Sequence, residues 1–188
     1  VTLFPRCPNV GLVKDVGQIP YTLAKVCDKI ETKLVSSEID FTGANIDRVK
    51  GLEIEYCPYI LHNEFLTGIW YLLKNARKID WLNIYHCGRK SYYWAKLYKI
   101  LNRKGKVYLK LDLDFVSCDI YDQNRKEREL FRKVTNAMDL VSVESKAVYE
   151  RISKYTDHEI QLISNGYCVQ DEIIELPDKR ENCFITVG

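Results

Sequence analysis

Trp81-Leu-Asn-Ile-Tyr-His86, followed by a helical pattern over residues 89–103 and by Val107-Tyr-Leu-Lys-Leu-Asp-Leu113, is the stretch on which the fold turns. The outer runs are short, apolar and of strand length. Between them Tyr93, Leu97, Ile100 and Leu101 recur at helical spacing, and Lys104-Gly105 supplies a stop. A strand, a helix and a second strand in so short a span predict a βαβ unit with parallel strands.

The same rhythm extends in both directions. Residues 1–4, 34–36 and 52–57 read as strands. A polar loop runs through Gly17, and Pro20 suits the first turn of a helix that carries Ile19, Leu23, Val26, Cys27 and Ile30. Asn63 is placed to cap a helix containing Phe65, Leu66, Ile69, Trp70, Leu72 and Leu73. Downstream, the polar residues 119–128 lead into a helix reaching Met138. Residues 140–143 and 160–163 are further strands, with a helix capped by Ser145 between them. The alternation predicts an α/β fold, a Rossmann-like doubly wound parallel sheet over residues 1–168. Residues 169–182, charged and carrying Pro177, read as an interdomain linker. Residues 183–188 form a new apolar strand, expected to open a second, truncated domain.

Composition narrows the class. At 46% hydrophobic and 29% charged, the 188 residues hold material for a packed core under a solvated surface. A net charge of +2 exerts no global pull on nucleic acid, and no RNA- or DNA-binding signature accompanies the local charge. Among 7 cysteines there is no CxxC pair. Cys27, Cys57, Cys87 and Cys118 recur at the length of a βα unit, which is not a metal-ligand pattern. Reduced thiols in a cytoplasmic protein are the simpler reading. The chain has neither an apolar run of membrane-spanning length nor a signal-peptide pattern.

In open α/β sheets, ligands bind beyond the carboxyl ends of the strands, so candidate residues are those that follow strands. Lys14, Asp15 and Gly17 precede a helix, where free N–H groups favour phosphate; a plain turn needing glycine is the alternative. His86 ends a strand and can bind an acceptor hydroxyl or take its proton, or else serve as a hydrogen-bonded strand end. Asp112 and Asp114, on one face of a strand by alternation, can orient a hydroxyl or stabilise developing positive charge. Two acids alone make a poor metal site. Glu144 and Ser145 end another strand, and Ser145 also suits a helix N-cap. Asn165 and Gly166 form a tight turn.

Four segments resemble glycosyltransferase family four, whose members have the GT-B fold. They are residues 12–25 (LVKDVGQIPYTLAK), 138–145 (MDLVSVES), 162–167 (LISNGY) and 184–188 (FITVG). The chain departs from the family pattern in its first loop, where a single Gly17 stands beside Gln18. It departs again at Leu111-Asp112-Leu113-Asp114, where relatives often end in His-Asp. The resemblance implies the N-terminal half of a retaining glycosyltransferase in polysaccharide biosynthesis. A sugar would move from a nucleotide-sugar donor to a hydroxyl of a glycan or lipid-linked acceptor, without a bound cofactor or essential metal. A C-terminal domain would hold the donor, and this half alone would be inactive. It also implies that Lys14, Asp15 and Gly17 lie near the donor phosphates. His86 and Asp112 would be catalytic. Tyr21, Asp114, Glu144 and Ser145 would line the acceptor cleft, and Asn165 and Gly166 would border the interdomain cleft.

Residues 81–111 contain no acid, yet carry Arg89, Lys90, Lys96, Lys99, Arg103 and Lys104 among aromatic residues. A basic helix of this kind suits an anionic membrane surface, although solvated lysines above a core-packed face read the same way. The resemblance supports peripheral association with the inner face of the membrane. Two rival readings are a self-contained flavodoxin-like nucleotide-binding domain, for which GxGxxG is missing, and a non-catalytic membrane-surface adaptor.

Overall fold

A computed structural model describes residues 1–38, 41 and 43–163. Among the described residues seven strands, β1 (Thr2–Leu3), β2 (Lys33–Ser36), β3 (Glu53–Tyr56), β4 (Trp81–Tyr85), β5 (Lys106–Lys110), β6 (Leu140–Val143) and β7 (Ile160–Leu162), form one sheet in the order β3-β2-β1-β4-β5-β6-β7. Every pairing is parallel. The helices are α1 (Asp15–Val26), α2 (Ala44–Asp47), α3 (Glu64–Asn75), α4 (Arg89–Leu101), α5 (Asp119–Gln123), α6 (Arg125–Thr135) and α7 (Lys146–Ile152). The result is a Rossmann-like doubly wound sheet whose strand order reverses between β1 and β4, the switch point at which such folds open a crevice.

One face of the sheet is apolar. Leu82 and Ile84 of β4, Val107 and Leu109 of β5, and Val141 and Val143 of β6 are buried in one core with Trp94 and Tyr98 of α4 and Phe131 of α6. Gly68 makes this core possible, because a Cβ there would lie 2.2 Å from the Trp94 ring. With the helices so close, the Trp94 indole N–H reaches the Phe65 carbonyl at 3.0 Å. A smaller core on the opposite face joins Leu12, Val16 and Tyr21 to Leu34 and Tyr85.

The structure corrects several local expectations. The loop expected through Gly17 contains a 3-10 helix at Asn9–Val13, and α1 starts at Asp15, so Pro20 lies inside the helix instead of in its first turn. Helix α2 is an element the sequence pattern did not announce. The polar residues 119–128 fold into α5 and the start of α6. Strand β5 ends at Lys110, opposite the last residue of β4, leaving Asp112 and Asp114 in the following loop. Asn63 caps α3 as expected, accepting from the Leu66 N–H at 3.1 Å. Ser145 occupies the N-cap of α7, but its hydroxyl makes no capping bond. The linker expected at 169–182, the strand at 183–188 and the turn of Asn165 and Gly166 lie outside the described residues.

Candidate functional site

Strand alternation builds the site. On β5 the odd positions Val107 and Leu109 enter the core, so Tyr108 and Lys110 must project to the other face. Ser142 on β6 does the same and shares a 2.7 Å hydrogen bond with the Tyr108 hydroxyl. Lys110 is 1% exposed. Its ammonium lies 3.4 Å from the Asp15 carboxylate at the start of α1 and forms an ion pair with Glu144, just beyond β6. Three chain segments distant in sequence thus meet at one buried cation.

The surroundings explain the charge states. Burial pushes the Asp15 carboxyl above its ordinary range; Lys110 opposes the shift, while Asp112 and Glu144 add to it. Asp15 Oδ2 is buried with no hydrogen-bond partner, so the Lys110 charge carries its compensation. Tyr85 donates from its hydroxyl to the Asp15 carbonyl at 3.1 Å, and burial raises its pKa first, the Asp15 charge second. Asn83 donates to Thr2 Oγ1 at 3.2 Å and toward the Tyr85 hydroxyl at 3.4 Å. A continuous polar layer therefore runs across β1, β4, β5 and β6 on this face.

The expected site residues separate into groups. Asp15 and Glu144 converge on Lys110, which lies in the acid-free residues 81–111 but was not singled out there, whereas Asp112 is exposed and acts only through its charge on Asp15. Lys14 is exposed and Gly17 buried, so they form no cradle with Asp15. A Cβ on Gly17 would stand 2.3 Å from the Leu12 carbonyl oxygen. The glycine is required by the close passage of the 3-10 turn. Tyr21 is buried in the smaller core beneath α1, with Lys25 over its ring at 4.5 Å. Asp114 turns back on its own loop, accepting from the Ser117 N–H at 2.6 Å, and this bond lowers its pKa. Asp114 thus shares no strand face with Asp112.

His86 stands at the switch point. Its backbone adopts φ +63°, and its exposed ring lies 5.8 Å from that of Phe4, just past β1. Ser91 fixes the turn by donating to the His86 carbonyl at 2.5 Å. The imidazole is therefore at the carboxyl edge, beside the β1–β4 crevice. Among the described residues no three His, Cys, Asp or Glu side chains converge as metal ligands.

Helix α4 carries the expected basic surface in part. Lys90 pairs with Glu64, and Lys99 pairs with Asp139, so both are turned to carboxylates. Arg89, Tyr93, Lys96 and Ile100 are exposed along one stripe of the helix, and Arg103 is exposed in the turn beyond its end. Among the described residues no helix is long and apolar enough to cross a membrane. No protein-family model and no curated protein matches the chain.

Proposed function

We propose that this chain is the acceptor-side half of a GT-B-type, retaining glycosyltransferase, moving a sugar from a nucleotide-sugar to a hydroxyl of a glycan or lipid-linked acceptor. The observation that carries the reading is the buried Lys110 held between Asp15 and Glu144 at the carboxyl edge of the sheet. An ammonium and two carboxylates side by side offer donors and acceptors to the vicinal hydroxyls of a sugar. In the transfer, the acceptor oxygen bonds to the anomeric carbon, whose bond to the donor phosphate breaks. The acceptor proton leaves with that phosphate, so no protein nucleophile is required. Asp112 and Glu144 are the carboxylates proposed to stabilise the positive charge that grows on the sugar ring.

The test is nucleoside-diphosphate release by the full-length native protein, over a panel of nucleotide-sugars with glycan and lipid-linked acceptors. Turnover is expected with one donor, and Glu144→Gln is expected to reduce it at least tenfold while the circular dichroism spectrum stays unchanged. Absence of release with every donor and acceptor rejects the reading.

The exposed stripe on α4 favours a second role, contact with an anionic lipid surface. Arg89, Lys96 and Arg103 have no ion-pair partner among the described residues, and Tyr93 and Ile100 stand between them, 54% and 73% exposed. Each cation near such a surface contributes about 1 kcal/mol. Vesicles containing phosphatidylglycerol are expected to retain the protein at low salt, and Lys96→Glu with Arg103→Glu to release it. Equal retention by neutral vesicles counts against this role.

A further inference from the structure

A groove of about 850 Å³ opens on the α1 side of the sheet, alongside that helix. Parallel strands covered by helices on both faces read as continuous apolar runs. Strands β4, β5 and β6 instead alternate: Asn83 and Tyr85, Tyr108 and Lys110, and Ser142 face one way, with only apolar side chains facing the other. The face toward the groove is thus unsuited to an apolar helix.

The groove has two unlike ends. Its floor near the carboxyl edge presents Asn83, Tyr108 and Lys110, and Asn83 is 8% exposed with its Oδ1 unpartnered. Its walls toward the other end are Leu23 and Ile30 from α1 and the turn after it, Trp81 at the start of β4, and Leu140 of β6. Leu23, Ile30 and Trp81 are 42%, 44% and 49% exposed, large apolar surfaces that gather around one opening. A volume of this size falls in the range that holds small molecules, with apolar walls and a few converging polar groups.

We infer that this groove binds an apolar-tailed glycoside, its sugar hydroxyls against Asn83, Tyr108 and Lys110 and its tail along Leu23, Ile30, Trp81 and Leu140. Charge decides against an anionic head. Lys110 is already matched by Asp15 and Glu144 and Lys33 by Glu53 and Glu55, while Lys29 and Lys78 are equalled in number by Glu31 and Asp80 in the same lining. A phosphate there would find no unmatched cation on the floor, whereas neutral hydroxyls can donate to the unpartnered Asn83 Oδ1 and exchange hydrogen bonds with the Tyr108 hydroxyl. The identity of the ligand as an acceptor rests on the transferase reading; its binding does not.

The experiment is a fluorescence titration of the full chain with n-octyl β-D-glucopyranoside below its micelle concentration, with glucose and 1-octanol as separate probes. Trp81 is the reporter, and Trp81→Phe identifies its share of the signal against Trp70 and Trp94. A saturable change is expected, at least tenfold tighter than for either half-probe and at least tenfold weaker in Leu23→Glu, whose site is already solvent-exposed. Amide hydrogen exchange on Leu23→Glu checks that the fold persists. No saturable change, equal affinity for octanol, or unaltered binding by the folded Leu23→Glu variant overturns the inference. Saturable binding without nucleotide-sugar turnover keeps the groove and removes the transferase. Turnover on soluble glycans without octyl glucoside binding does the reverse.

Discussion

The Lys110 ammonium, 1% exposed, lies 3.4 Å from the Asp15 carboxylate, and this contact ties the first turn of α1 to the carboxyl end of β5. A buried ion pair adds little net stability over apolar packing, but removing one partner leaves an uncompensated charge. Lys110→Met is therefore expected to cost about 3–5 kcal/mol. Adding Asp15→Asn is expected to recover a large part of that loss, since the stranded carboxylate is gone. Urea denaturation of the two single variants and the double variant checks both statements, through the coupling energy of the cycle. Additive losses would show that the two side chains do not sense one another.

The same carboxylate sets a pH dependence. Its folded pKa lies above the ordinary 3.8, chiefly because of burial. Between those two values the folded state binds more protons than the unfolded one, so the Asp15 contribution to stability falls as pH rises. Below 3.8 the penalty is absent; above the folded pKa it is complete. Asp15→Asn is expected to flatten this part of the stability curve upward from pH 3.8. A denaturation series in which wild type and variant run parallel through that window contradicts the assignment.

His86 permits a separation of backbone from side chain. At φ +63° it occupies the left-handed region, which glycine enters freely and β-branched residues resist. His86→Gly is expected to leave the melting temperature unchanged or slightly raised. His86→Val is expected to lose about 1–2 kcal/mol. If glycine proves the more damaging, the imidazole contact with Phe4 carries the stability of this turn, and the backbone does not.

Much of the fold was legible because the signals were local. Seven short apolar runs separated by helical patterns predicted a parallel sheet, and Asn63 marked the start of α3 through its own capping bond. Less legible were features fixed by partners far along the chain. Strand β5 stops at Lys110, level with the end of β4 at Tyr85, which no property of residues 111–114 announces. Helix α1 begins at Asp15, not beyond Gly17, because its first turn packs against the 3-10 segment. Lys110 was masked by its neighbours, since a lysine in a basic stretch reads as solvated. The available clue was alternation: Tyr108, Lys110 and Asp112 occupy even positions between buried odd ones, and only a polar face on that side of the sheet explains it.

Gly17 decides between two uses of a glycine. A glycine that lets a phosphate approach the backbone has open space where its Cβ would be. At Gly17 that space is taken, with the Leu12 carbonyl oxygen 2.3 Å and the Leu12 Cα 2.6 Å from an added Cβ. Both obstacles are backbone atoms, so no rotamer change relieves them. The 3-10 segment must move, and with it Leu12, which is fully buried in the smaller core. Gly17→Ala is expected to destabilise by about 1–3 kcal/mol, the range typical of overpacking, despite the higher helix propensity of alanine. A thermal melt checks the sign. Were Gly17→Ala to stabilise the protein, the turn would have room to spare, and the anion-binding use of this glycine would regain its footing.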